Sequence, residues 1–440
     1  MTTLLDHTFD LNPGMLAAAI ELHQAGAVPS ATQLIDLDMI ARNARRTAQA
    51  AEAHGLRVYA MTKQNGLNPF MTKVLLDCGI PSTCAVETLQ AHRIHRYGFP
   101  LGNVGHIQNI PAAQVPAVVA MRPEFITVYT YEAAKRVSDA ASNLGVTQRL
   151  YVRVTNQSPT GTPIVGVDEG AFTGLVGGWT EDNCVAGIRP LLALPNVEVA
   201  GLTQFSAISY GENGDPSVVK PTEAFFTMLR AKERLERELG LADLHLNVGG
   251  NANVGTFPVL ASYGVTEVEP GVSLAGSGGF HAKQEMAEHP AQVVVSEVSH
   301  YWGDNVYTTG GVFNFVSDLY DPEPMCAAAG TDLESARRCR IPYLYNEMVD
   351  AHGVFGPGTP MPAVGDTVLV VHHPQAFLER GYTAAVSGIA EGEPRLEGVF
   401  DAACNQLDAD FNVLPRQHTI EQLDKVGQRY REGATVNTAL

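Results

Sequence analysis

The stretch RVYAMTKQNGLNPFMTKVLLDCG, residues 57–79, holds one complete strand-to-helix unit. Val58, Tyr59, Ala60 and Met61 form the short apolar run of a strand buried on both faces, as strands of parallel sheets are. Asn68 then stands as a helix cap, Pro69 takes the first helical position and Gly79 supplies the stop. Between strand and cap lies Lys63, a charge at the end of a buried run. Such a lysine either snorkels from the strand end into water or is held there as a reactive amine, and the stretch alone leaves both open.

The unit recurs along the chain. Candidate strands are TQLIDLD (32–38), RVYAMT (57–62), NVGHIQ (103–108), FITVYT (125–130), RLYVRVT (149–155), VEVAGLTQF (197–205), LHLNVGG (244–250) and TEVEPG (266–271). Between them run helical segments with readable punctuation: DMIARNARRTAQAAEAHG, with Asp38 as N-cap and Gly55 as stop, and two more that stop at Gly145 and Gly240. Repeated about eight times over about 250 residues, this rhythm predicts an α/β chain with a (β/α)8 TIM-like barrel over residues 31–284. An open doubly wound sheet is the rival. No GxGxxG follows the first strand, and loops after many different strands carry reactive side chains, which suits the barrel better.

After residue 285 the text changes to β-rich runs such as AQVVVSEVSHYWGDNVYTTGGVF, DTVLVVHHPQAF and YTAAVSGIA, broken by Pro/Gly loops. A β-rich C-terminal domain over 285–440 is expected, with residues 1–30 packing on it. A chain of 440 residues with 45% hydrophobic content exceeds one core, so two domains are expected. Lysine and arginine number 29 against 47 acids, a net charge of −18 without a basic cluster, which argues against nucleic acid and anionic membranes. The N-terminal stretch MTTLLDHTFD has no signal-peptide pattern and no stretch approaches a membrane span, so a cytoplasmic protein is expected. The six scattered cysteines, without a CxxC, are taken as reduced thiols.

Two glycine-rich turns alter the weight on Lys63. NVGGNANVG (247–255) follows a candidate strand, and such turns expose backbone N–H groups that can cradle a phosphate. EVEPGVSLAGSGG (267–279) is a second, carrying the strand-end carboxylate Glu269. Singly, each also reads as an ordinary turn or a solvated acid. Together they supply what pyridoxal 5'-phosphate needs: an amine for its aldehyde, backbone donors for its phosphate and a carboxylate for its pyridine nitrogen.

With these features in order, the sequence resembles the alanine-racemase-like, fold type III family of pyridoxal-phosphate enzymes, closest to its YhfX-type branch. The resemblance rests on IDLDMIARNARR (35–46), AMTKQNGLNP (60–69), GNVGHIQNIP (102–111), LYVRV (150–154), GLTQFSAI (201–208) and VEPGVSLAG (268–276). It implies that Lys63 carries the cofactor as an internal aldimine and serves as one of the bases that move the α-proton. It implies that Glu269 keeps the ring nitrogen protonated so that a quinonoid carbanion is stabilised. Gly271 and Val272, with Gly249, Gly250 and Asn251, would hold the phosphate. Arg153 would lie near the phenolic side of the ring, or simply pair with a neighbouring acid.

Departures from the family pattern shape the rest. Alanine racemases carry histidine where this chain has Gln204, between Thr203 and Phe205, so an amide stands for an imidazole beside the cofactor. Their second base is a tyrosine given by the partner subunit; Tyr307, in GDNVYTTGG, lies one position early and is the candidate, or else an ordinary β-domain aromatic. Cys404 and Asp408, in DAACNQLD, resemble a decarboxylase segment that also reaches the partner's site, but GYT (381–383) precedes them where decarboxylases place such a turn later. His372 and His373 resemble a possible aldolase metal site, yet adjacent strand residues face opposite ways, so no metal is assigned. His106 and His281 fall on loops that would face the cofactor, as substrate contacts or as satisfied polar residues. The expected activity is racemisation or epimerisation of an amino acid through an external aldimine, by a homodimer with active sites shared between subunits. A β-hydroxy amino-acid aldolase or lyase, or a decarboxylase, is the alternative.

Overall fold

The computed structural model describes residues 3–156, 167–168, 171–172, 177–211, 215–310, 326–346, 352–372 and 381–431. Within them the chain forms two compact units, one of residues 48–61 and 80–271, the other of 1–47, 62–79 and 272–440.

The first unit is a closed barrel of eight parallel strands. In chain order these are β1 (Arg57–Ala60), β2 (Ser82–Ala85), β3 (Leu101–Val104), β4 (Phe125–Val128), β5 (Gln148–Arg153), β6 (Val197–Gln204), β7 (His245–Gly249) and β8 (Glu267–Glu269). Closure comes from β8 pairing with β1, Glu267 opposite Arg57 and Val268 opposite Val58. Alternation along the strands fills the lumen in layers. Lower in the barrel Tyr59, Phe125 and Tyr151 are buried, and the last two stack with centroids 3.9 Å apart. A Cβ on Gly102 would fall 2.3 Å from the Tyr59 ring, so glycine there makes room for the aromatic layer.

One expected strand lies elsewhere, and one barrel strand was not expected. Thr32–Asp36 does not enter the barrel; it runs parallel to Tyr382–Ser387 and antiparallel to Gln292–Trp302. Its place in the barrel count belongs to β2, the short run STCA. The helix after Thr32–Asp36 also starts earlier than predicted, at Leu37, and its cap is Asp36 rather than Asp38: Asp36 Oδ1 accepts from the N–H groups of Asp38 and Met39, at 3.0 and 3.1 Å.

The second unit is built on a sheet with ten strands among the described residues, mostly antiparallel, with Thr32–Asp36 inside it. Helices Leu4–Leu11 and Pro13–Gln24 lay Leu5, Phe9, Leu16 and Ile20 on its face, in one cluster with Val293, Val295, Leu369 and Val386. Helix Arg416–Arg431 packs against helix Pro69–Asp77, where Arg431 pairs with Asp77 at 2.8 Å and Gly427 leaves space for that carboxylate. Its Tyr430 hydroxyl donates to Asp38 Oδ1 at 2.7 Å.

Beside that contact, burial and then the Asp38 charge push the fully buried Asp36 carboxyl up to about 7. Between the ordinary value of 3.8 and about 7 the folded chain keeps a proton that the unfolded chain has released. Asp36 therefore takes away stability as pH rises through that window, by at most about 1.4 kcal/mol per pH unit. Asp36→Asn should flatten this part of the pH profile of the thermal midpoint; an unchanged slope would show that Asp36 ionises normally.

Candidate active site

The C-terminal ends of the barrel strands carry a layer of buried polar side chains. Cys84, Asn103, Thr127, Arg153, Thr203, Asn247 and Glu269 are all at most 2% exposed. Side-chain hydrogen bonds across neighbouring strands tie several of them together. Thr203 Oγ1 donates to Asn247 Oδ1 at 2.7 Å, and Thr127 Oγ1 to Asn103 Oδ1 at 2.8 Å.

Glu269 is the hub. Its side chain has no exposed surface. Asn103 Nδ2 donates to Oε1 at 2.8 Å, Cys84 Sγ to Oε2 at 3.1 Å, and His106 Nδ1 lies 2.9 Å from Oε2, tilted off the best hydrogen-bond line. Burial alone would raise its pKa, but His106, Asn103 and Cys84 outweigh that and hold it below the ordinary carboxylate value. The barrel thus keeps an ionised acid in its centre.

Arg153, at the end of β5, is buried as well, and burial lowers its pKa, though the guanidinium remains charged. It donates to the carbonyls of His106 at 3.3 Å and Phe205 at 3.1 Å. Besides the tilted His106 Nδ1, four buried atoms in this layer have no hydrogen-bond partner among the described residues: Arg153 Nε, Gln204 Oε1, Asn247 Nδ2 and His106 Nε2. Leaving such a group unmade costs about 1–3 kcal/mol, so the layer is suited to a polar ligand. A phosphorylated pyridine, with ring heteroatoms and hydroxyl, fits that demand.

The glycine-rich turn after β7 is built for close approach. A Cβ on Gly249 would lie 2.7 Å from His106 Nε2, and one on Gly250, at φ +83°, would lie 2.4 Å from Ser206 Oγ. Asn251 adopts φ +54° and donates to the Ile208 carbonyl at 2.9 Å. Gly271 ends the barrel unit, while Val272 begins the next segment of the second unit.

Lys63 opens the short helix Lys63–Asn65, two residues after Met61, whose N–H still binds the Pro270 carbonyl at 3.0 Å. It is half-buried. Its loop belongs to the second unit and is gripped there: Gln33 Nε2 donates to the Gln64 carbonyl at 3.0 Å, Asn65 donates to Gln292, and Asn68 Nδ2 donates to Thr383 Oγ1 at 2.9 Å. Asn68 also caps the next helix as expected, accepting from Phe70 and Met71 at 3.0 and 3.1 Å. Cys404, buried and at φ +63°, donates its thiol to the Gly66 carbonyl of the same chain at 3.0 Å. Asp408 is exposed and holds its own turn through Asp410 and Asn412.

Tyr307 lies in the second unit on the strand Asn305–Thr308. It stacks on His300 at 4.6 Å and meets His352 edge-on at 6.3 Å. His281 accepts from the Gly278 N–H at 3.1 Å. His372 is buried, and His373 falls outside the described residues. Among the described residues no group of three or more His, Cys, Asp or Glu is placed to hold a metal ion, and no helix is long and apolar enough to cross a membrane.

Residues 35–278 match the family model described as alanine racemase, N-terminal domain, and residues 293–396 match the YhfX-like C-terminal domain. The uncharacterized protein YhfX of Escherichia coli (strain K12) is 29% identical over 403 residues, spanning 90% of this chain and 98% of its own length. D-threonine aldolase from Filomicrobium marinum shares the fold at 16% identity and a TM-score of 0.61, over 86% of this chain and 96% of that one. D-threo-3-hydroxyaspartate dehydratase from Delftia sp. HT23 does so at 16% identity and a TM-score of 0.58, over 84% and 97%. Parallel barrel, β-rich second unit and a family match over more than half the length agree, and the chain belongs to the alanine racemase N-terminal domain family.

Proposed function

We propose that this protein is a pyridoxal-phosphate-dependent amino-acid racemase or epimerase, working at the α-carbon. The observation that carries the reading is Lys63: a half-buried amine just past the C-terminal end of β1, the end at which the barrel buries Glu269, Arg153 and Gln204. Partial desolvation favours the free base, the form that can bond an aldehyde. Membership of a family that generally uses pyridoxal phosphate supports the cofactor.

Bound there, the cofactor supplies an electron sink for charge developing at the α-carbon. Lys63 holds it and moves a proton on one face of that carbon. Tyr307 moves the proton on the other face, from the second copy of a homodimer, with His300 and His352 beside its ring. Arg153, Thr203 and Gln204 orient the ring, while Gly249, Gly250, Asn251, Gly271 and Val272 let the backbone approach the phosphate. Cys404 keeps the Lys63 loop in place through the Gly66 carbonyl.

The test uses an α-deuterated amino acid. Racemisation exchanges the label with water while optical activity decays to zero, read by mass spectrometry and chiral chromatography over a panel of L- and D-amino acids. Carbonyl products from a β-hydroxy amino acid, or loss of carbon dioxide, would replace this reading by a lyase or decarboxylase.

A further inference from the structure

The sequence assigns Glu269 to the ligand directly, but the structure spends that carboxylate on the protein. Asn103, Cys84 and His106 surround its two oxygens, and none of its side-chain surface is exposed. The Asn103 amide is fixed in that direction because its own oxygen accepts from Thr127. The ring nitrogen of His106 that does not face the carboxylate is Nε2.

We infer that Glu269 acts through His106: the carboxylate fixes the imidazole with its proton on Nδ1, and Nε2 is the acceptor offered to a ring N–H of the bound ligand. The inference deepens the proposed function and rests on it for the identity of the ligand. An ionised carboxylate only accepts, so the Nδ1 facing it must carry the proton, and a neutral imidazole then has its lone pair on Nε2. The ring is held for this purpose. The His106 carbonyl accepts from Tyr129 Oη at 2.9 Å and from Arg153, and Phe205 meets the imidazole edge-on with centroids 5.8 Å apart. Nε2 is buried without a partner among the described residues. Gly249 keeps the space around it, since a Cβ there would sit 2.7 Å away. On this account the bare Gly249 also makes room for the histidine, and Glu269 is a positioning residue.

The experiment reads the tautomer by nitrogen NMR of the full chain labelled in histidine, with His106 identified by the signal missing from His106→Phe. We expect the Nδ1–H form in the wild type, and a shift of the Nε2 signal on adding pyridoxal phosphate. Glu269→Gln should lose the tautomer preference. His106→Phe and Glu269→Gln should each weaken pyridoxal-phosphate binding by about tenfold or more, the worth of one hydrogen bond to a charged group. An Nε2–H tautomer in the wild type overturns the inference. So does binding that Glu269→Gln weakens and His106→Phe leaves intact. Because the tautomer is read in the wild type, a variant that misfolds does not remove the test. If the wild type binds no pyridoxal phosphate, the proposed function falls, and the tautomer still decides whether Glu269 governs His106.

Discussion

Lys63→Ala is expected to remove the borohydride-sensitive visible absorption of protein purified with pyridoxal phosphate, and to slow α-proton exchange by at least about 10²–10⁴-fold, the usual worth of one positioned acid–base group. The substitution leaves the other anchors of the loop in place. Lys63 is half-buried, its helix has no side-chain cap, and its loop is held by Gln33, Gln292 and Thr383 through neighbouring residues. The backbone bond from the Gly66 N–H to the Lys63 carbonyl, 3.2 Å, survives any side chain. The thermal midpoint should therefore stay near that of the wild type while the absorption disappears. A variant that keeps the absorption band would mean that another amine carries the aldehyde.

Glu269→Ala should do the reverse and strike stability first. It strands three donors in the barrel centre, Asn103 Nδ2, Cys84 Sγ and the His106 Nδ1–H. Each buried donor left unmade costs about 1–3 kcal/mol, a loss that a denaturant midpoint resolves easily. Glu269→Gln keeps the volume and one acceptor and should cost less. The sign of the pH effect follows from the lowered pKa: Glu269 contributes stability above the ordinary carboxylate value and loses it as pH falls through its folded value. Glu269→Gln should therefore flatten the acid limb of the stability profile. A Glu269→Ala protein as stable as the wild type would show that the carboxylate is not the hub of the layer.

How far the sequence reached is clearest at the two strands it confused. Thr32–Asp36 is buried at every position, and so is β2. Burial on both faces reads the same whether the neighbours belong to a barrel or to a packed sheet, so the period of TQLID could not name its partners. The run STCA has small side chains and a single β-branched residue, too little for a strand signal. Lys63, Arg153 and Glu269 were legible because a charge at the end of an apolar run is rare enough to notice. Asn103, Thr127 and Cys84 were not. Each looks like an unremarked polar residue in a short strand, and its meaning comes from partners brought near by barrel closure. His106 was visible as a loop histidine, while its link to Glu269 needed the fold.

The placement of Thr32–Asp36 also sets an order of events during synthesis. Its partners, Gln292–Trp302 and Tyr382–Ser387, leave the ribosome only after every barrel strand has been made. At about 5–20 residues per second, a nascent barrel can close while the N-terminal strand waits with its backbone donors unpaired. Contacts of such sequence separation are slow to form. A chain cut after the barrel would therefore carry an orphaned strand and two amphipathic helices with nothing to cover them, a product that chaperones would have to hold.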